Sequence, residues 1–222
     1  MSSDFTQTTK ETFDKIAGSW YNYRHRTIFQ TELERMAARW QSGRLLNAGC
    51  GHGADFVPFG KGFELHGIDF SRAMLELVKK YAAKFNFEIS PVEADARYLP
   101  YRDNSFDFVI GVASYHHIDT KAGRQQAFRE LFRVLKPGGE AFLTVWNKRQ
   151  RRFFFQPKNV MVPWKSKEGT LDRYYYLFTY GELEKELKRA GFSVLESFPE
   201  SRYRFLVKWF SRNICVLLKK RP

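Results

Sequence analysis

The sequence predicts an α/β protein built on one doubly wound sheet of seven mostly parallel strands. Two observations carry the prediction. Short apolar runs alternate with segments of helical periodicity. A glycine-rich turn, Asn47 to Gly53 (NAGCGHG), leaves the first run of the series, and an acid, Asp69, closes the second. In doubly wound sheets the ligand crevice lies at the carboxyl ends of the strands, where both features fall.

The strands are assigned in order to Leu45 to Ala48, Phe63 to Ile68, Phe87 to Val92, Phe106 to Val112 and Ala141 to Val145. Between them Met74, Leu75, Val78 and Tyr81 repeat at helical spacing, as do Phe128, Leu131, Phe132 and Leu135. Leu135 to Glu140 (LKPGGE) supplies a helix stop and a tight turn into the fifth strand. From Trp146 to Thr179 neither periodicity holds, so an irregular, substrate-binding insertion is expected there. A helix over Tyr180 to Ala190 stops at Gly191, and Phe192 to Phe198 and Asn213 to Leu218 read as a closing antiparallel pair. At 222 residues the chain suits a single domain. Its expected parts are a helical substrate cap (1–43), a cofactor core (44–145), a basic aromatic insertion (146–179) and a C-terminal helix with final strands (180–222).

Charge is unevenly distributed. Residues 1–144 carry 19 Lys and Arg against 17 Asp and Glu, whereas residues 145–222 carry 18 against 7. A basic end interleaved with rings, as in Arg151 to Phe155 and Arg173 to Tyr176, suits a polyanion whose bases can stack. Cys50 and Cys215 form no motif, and no apolar run approaches the length of a membrane span. A soluble, cytoplasmic protein without metal is the expectation.

In the glycine turn, Gly49, Gly51 and Gly53 are followed by Ala54 rather than by the third glycine of a dinucleotide fingerprint or the lysine of a phosphate loop. The run resembles motif I of the class I S-adenosylmethionine-dependent methyltransferases. That resemblance implies the cofactor and its contacts: Gly49 and Gly51 against the methionine portion, Asp69 on the ribose hydroxyls with Phe70 beside it, Asp95 and Ala96 at adenine, and Val112 at the end of the fourth strand. Asn47 stands where the family usually carries an acid.

The acceptor is read further along. VWNKRQ after the fifth strand, MVPWKS at Met161 to Ser166, RYYYLFTYGELEKELKRAGF at Arg173 to Phe192 and the ending SRNICVLLKK resemble the tRNA wobble-uridine carboxymethyl methyltransferases, from about Phe13 onward. The resemblance implies esterification of the 5-carboxymethyluridine carboxylate in the tRNA anticodon loop. It also implies a small zinc-binding activator protein paired with the edge strand at Phe85 to Val92. A carboxylate is ionised at neutral pH and needs orientation rather than a base. Arg26, Arg24 and Arg173 are the candidates to orient it, Arg26 first, with His116 shaping the pocket. Trp146, Trp164 and Tyr175 are candidates to stack on the base. Two alternatives stay open: a small-molecule methyltransferase acting on a quinone precursor or other small acid, and a non-catalytic RNA-binding module.

Overall fold

A computed structural model describes residues 2–167 and 169–221, the side chains of 2–7 excepted. Two helices, α1 (Ser2–Tyr23) and α2 (Gln30–Trp40), precede the sheet. Then follow β1 (Gly43–Ala48), β2 (Phe63–Asp69), α3 (Arg72–Phe85), β3 (Ser90–Glu93), β4 (Phe106–Val112), α4 (Lys121–Val134) and β5 (Leu135–Trp146). The chain continues through β6 (Asn159–Ser166), β7 (Gly169–Tyr176), α5 (Tyr180–Arg189), β8 (Phe192–Pro199) and β9 (Asn213–Lys220).

Seven strands form the main sheet in the order β3-β2-β1-β4-β5-β9-β8, with β9 antiparallel to both neighbours. The expected doubly wound architecture is therefore present. The order reverses between β1 and β4, which opens the crevice at their carboxyl ends. Alternation along each strand serves two cores. Leu46, Val109, Leu143 and Val216 face α4 and α5 through Phe128, Leu131, Leu183 and Leu187. Their neighbours Leu45, Ile110, Phe142 and Leu217 face α2 and α3 through Leu33, Met36, Val78 and Tyr81. Ser71, Thr120 and Thr179 cap α3, α4 and α5 by accepting backbone N–H bonds, each worth about 1 kcal/mol.

Two expectations are corrected. Residues 159–166 and 169–176, expected to be irregular, form the antiparallel pair β6 and β7. Val160, Val162 and Trp164 do alternate inward, a short signal interrupted on the other face by Met161 and Pro163. The third strand is also shorter and later than Phe87 to Val92: Phe87 is buried in the core and the strand begins at Ser90. It does lie at the sheet edge, where Val92 is exposed.

The hairpin and α1 together roof the crevice. Phe13, Ile16 and Ala17 of α1 pack on Met74 of α3, with Trp20 of α1 and Trp164 and Leu171 of the hairpin against them. Asp14 latches α1 to the start of α3, accepting from Ser71 Oγ at 2.6 Å and Ala73 N–H at 3.2 Å. Among the described residues no helix is long and apolar enough to cross a membrane.

Candidate cofactor and acceptor cleft

The turn after β1 is held to the end of β2 by its own backbone. Gly49 and Cys50 N–H both donate to Ile68 O at 2.8 Å. Gly49, at φ +86°, has no room for a side chain, since a Cβ there would lie 2.4 Å from Ser114 Cβ. Gly51, at φ +53°, differs. It lines the cleft, and a Cβ there would meet no protein atom within 4 Å, so bare backbone is presented to a ligand.

Asp69 is buried at the end of β2 and accepts from Gly51 N–H at 2.8 Å and from Ser71 N–H at 2.9 Å. One oxygen takes each bond, so both keep acceptor capacity for a pair of hydroxyls. Burial pushes this carboxyl up to about 6, against the backbone N–H groups of Ser71, Gly51 and Phe70, which lower it. Asp95 and Ala96 line the same wall, but the Asp95 carboxylate is engaged by the Arg97 guanidinium at 2.5–3.0 Å. Phe70 and Val112 complete the apolar lining. Asn47 does not reach the cleft. It is fully buried behind the turn, and neither amide atom has a hydrogen-bond partner.

Beyond β4 the chain bends at Ala113, a non-glycine residue at φ +52° whose N–H is held by Thr144 O and Oγ1 at 3.0 and 2.9 Å. That bend carries His116 and His117 into the cleft wall. His116 Nδ1 accepts the Trp146 N–H at 3.2 Å, and burial, with His117 and Arg173 adding, drives its pKa well below the usual range. His117 Nδ1–H donates to Tyr174 O at 2.8 Å, and burial pushes its pKa down to about 3 although that bond opposes the shift. Both imidazoles are neutral at physiological pH and are weak bases.

Aromatic rings form the floor of the acceptor side. Tyr175 stacks on Trp146 with centroids 4.1 Å apart and on His116 at 4.9 Å. Arg24, Arg26 and Arg212 line the mouth above them. Arg24 is half-buried, whereas Arg26 is exposed at the rim. Arg173 stands behind the wall, 5.0–5.5 Å from the ring centres of Trp164, Tyr175 and Trp20. Trp164 is also outside the lining, tying the hairpin to α1 through Trp20 and a 2.8 Å bond to Ser19 Oγ.

The Nε atoms of Arg24 and Arg173 have no hydrogen-bond partner. Burial lowers both pKa values. Among the described residues the charged neighbours that act on the two guanidiniums are other arginines, among them Arg212 on Arg24 and Arg24 on Arg173. Cations placed together without an acid suit an anion that arrives from outside. Sequence reasoning missed Phe13 and Trp20 of the roof, although they share one face of α1, and it missed Arg212, for which no local signal exists.

The arrangement matches what a sulfonium nucleoside cofactor requires, with two hydroxyl acceptors at Asp69, open backbone at Gly51 and apolar walls. Comparison with known proteins agrees. A methyltransferase-domain family matches residues 45–139. A protein of Encephalitozoon cuniculi, named as a methyltransferase by inference, is 32% identical over 73% of this chain and 76% of its own length. The tRNA (carboxymethyluridine(34)-5-O)-methyltransferase of Schizosaccharomyces pombe is 34% identical over 47% of this chain, and the match spans 57% of that protein. Among solved structures, a Burkholderia thailandensis N-methyltransferase with bound S-adenosylhomocysteine superposes with a TM-score of 0.75 at 15% identity, over all of this chain and 91% of that one, which shows the shared fold. Similar in sequence to the tRNA carboxymethyluridine methyltransferases, the chain belongs to the class I S-adenosylmethionine-dependent methyltransferases.

Proposed function

We propose that this methyltransferase esterifies a carboxylate, that of 5-carboxymethyluridine at the wobble position of a tRNA anticodon loop. The observation that carries the reading is Arg24: a half-buried cation in the cleft wall, with an unpartnered Nε and other cations for neighbours. The activity of the S. pombe relative, a tRNA (carboxymethyluridine(34)-5-O)-methyltransferase, supports the same acceptor.

Bound S-adenosylmethionine supplies an electrophilic methyl group on sulfur. Arg24, with Arg212 beside it, orients the carboxylate by charge-assisted hydrogen bonds while leaving one oxygen free to attack. The Trp146–Tyr175 stack offers a flat surface for the uracil ring. Arg173 contributes field from behind, its guanidinium 5.4 Å from the centre of the Tyr175 ring. No proton has to leave an acceptor that is already ionised. The neutral, weakly basic His116 and His117 suit such a reaction better than one that needs a general base. We further propose that the exposed β3 edge receives the zinc-binding activator, because an open strand edge invites pairing.

The test uses three synthetic anticodon stem-loops, bearing 5-carboxymethyluridine, its amide, or plain uridine. The mass of one methyl group is gained by the carboxylate alone. Methylation of the amide or of plain uridine, with the carboxylate inert, overturns the assignment.

A further inference from the structure

A second concave surface lies beside the cleft, between the segment after β5 and the segment before β9. Phe154, Phe155, Tyr203, Phe205 and Phe210 line it together with Arg149 and Arg151. The rings are open to solvent to an unusual degree: Phe155 is 95% and Phe205 77% exposed. Clustered exposed rings of this kind mark interaction surfaces. The charges are one-sided. Residues 148–155 and 201–212 hold eight Lys and Arg and no Asp or Glu. The nearby Glu200 is buried and accepts the Asn213 N–H.

The groove is built onto the cleft rather than hung from it. Asn147, one residue past β5, donates through Nδ2 to Trp209 O and Ser211 O at 2.8 Å, fixing the second segment. Lys148 Nζ donates to Phe153 O and Phe154 O, fixing the first. Trp146, a floor ring of the cleft, lies 5.7 Å from Phe153 and 5.6 Å from the Arg212 guanidinium. A strand with its target base on Trp146 would therefore continue directly into the groove.

We infer that this groove binds single-stranded RNA, holding nucleotides adjacent to the methylated uridine by stacking on Phe155 and Phe205 and by phosphate contacts from Arg149 and Arg151. The inference rests on the RNA acceptor proposed above. Rings interleaved with unpaired cations are the combination that grips a single strand, since every base offers a face to stack and every nucleotide a phosphate.

Fluorescence anisotropy of a labelled anticodon stem-loop, titrated at several salt concentrations, tests it. The double variant Phe155→Ala/Phe205→Ala should lose about tenfold or more in affinity with an unchanged salt slope. Arg149→Ala/Arg151→Ala should lose affinity and flatten the slope of log K against log salt by about 1.4, the value for two phosphates on a single strand. Both variants should bind S-adenosylhomocysteine and methylate free 5-carboxymethyluridine nucleoside as the unaltered protein does. If the stem-loop bearing 5-carboxymethyluridine is not methylated but stem-loop binding still depends on the groove, the acceptor assignment fails and the groove stands. Unchanged stem-loop affinity in both double variants overturns the inference. So does groove-dependent binding to phosphatidylserine vesicles with RNA affinity intact.

Discussion

Gly49 and Gly51 sit two residues apart in one turn, and replacing each by Ala should give separable results. At Gly49 the added Cβ would meet Ser114 Cβ at 2.4 Å, and Ser114 is itself fixed by its 2.8 Å bond to Ala48 O, so the end of β4 must move. A left-handed backbone costs an alanine about 1–2 kcal/mol, and overpacking adds about 1–3 kcal/mol. For a chain of this size each kcal/mol lowers Tm by about 2–4 °C, so Gly49→Ala should melt roughly 4–20 °C earlier. At Gly51 only the backbone cost applies, because the new Cβ meets no protein atom within 4 Å, and the shift should be about 2–8 °C. That Cβ instead takes space in the cleft. Intruding on the ligand at about 1–3 kcal/mol corresponds to a rise in Kd of roughly 5- to 150-fold. Thermal melting and calorimetric titration with S-adenosylhomocysteine read the two effects. A Gly51→Ala protein that binds the ligand as tightly as the unaltered protein would refute the assignment of this turn to the cofactor.

Arg24→Ala should lower kcat/KM for the carboxymethyluridine stem-loop by about 100-fold while S-adenosylhomocysteine affinity stays within about twofold, and Arg24→Lys should recover little of it because bidentate orientation is lost. The Asp69 carboxyl has a pKa raised to about 6, so S-adenosylhomocysteine affinity should fall as pH drops through about 6, and Asp69→Asn should flatten part of that dependence, Asp55 in the same cleft being raised to about 6 as well. The same shift has the opposite sign for the ligand-free fold: the acid binds its proton more tightly folded than unfolded, so its contribution to stability falls as pH rises from about 4 to about 6, by roughly 3 kcal/mol. With His117 pushed down to about 3, kcat/KM should show no histidine limb between pH 6.5 and 8.5, and a sigmoidal loss centred near 6.5 would contradict the neutral-wall reading.

The cofactor half of the cleft was legible in the sequence because its determinants are local. Glycines that need left-handed backbone and an acid at a strand end keep fixed positions within one β-turn-β unit, so Gly49, Gly51 and Asp69 could be named before any contact was known. Asn47 shares that motif but faces inward: strand alternation turns its side chain into the core, away from the cleft. The acceptor half is assembled from distant segments, and there residue type alone misleads. Arg26, Arg24 and Arg173 look alike in sequence, yet a half-turn of chain leaves Arg26 at the rim, and hairpin pairing puts Arg173 behind Tyr175. Arg212 reaches the cleft only because β9 returns beside β5, a pairing that no local pattern announces.

The central claim is that the transferred methyl ends as an ester on a tRNA wobble uridine. Incubating the full chain with bulk tRNA and S-adenosylmethionine labelled in its methyl group, digesting to nucleosides and separating them by mass gives the answer directly. Label is expected in one nucleoside, 5-methoxycarbonylmethyluridine, released as methanol by mild alkali. Alkali-stable label on a ring nitrogen or carbon, or no label in tRNA while a small organic acid is methylated, would contradict it.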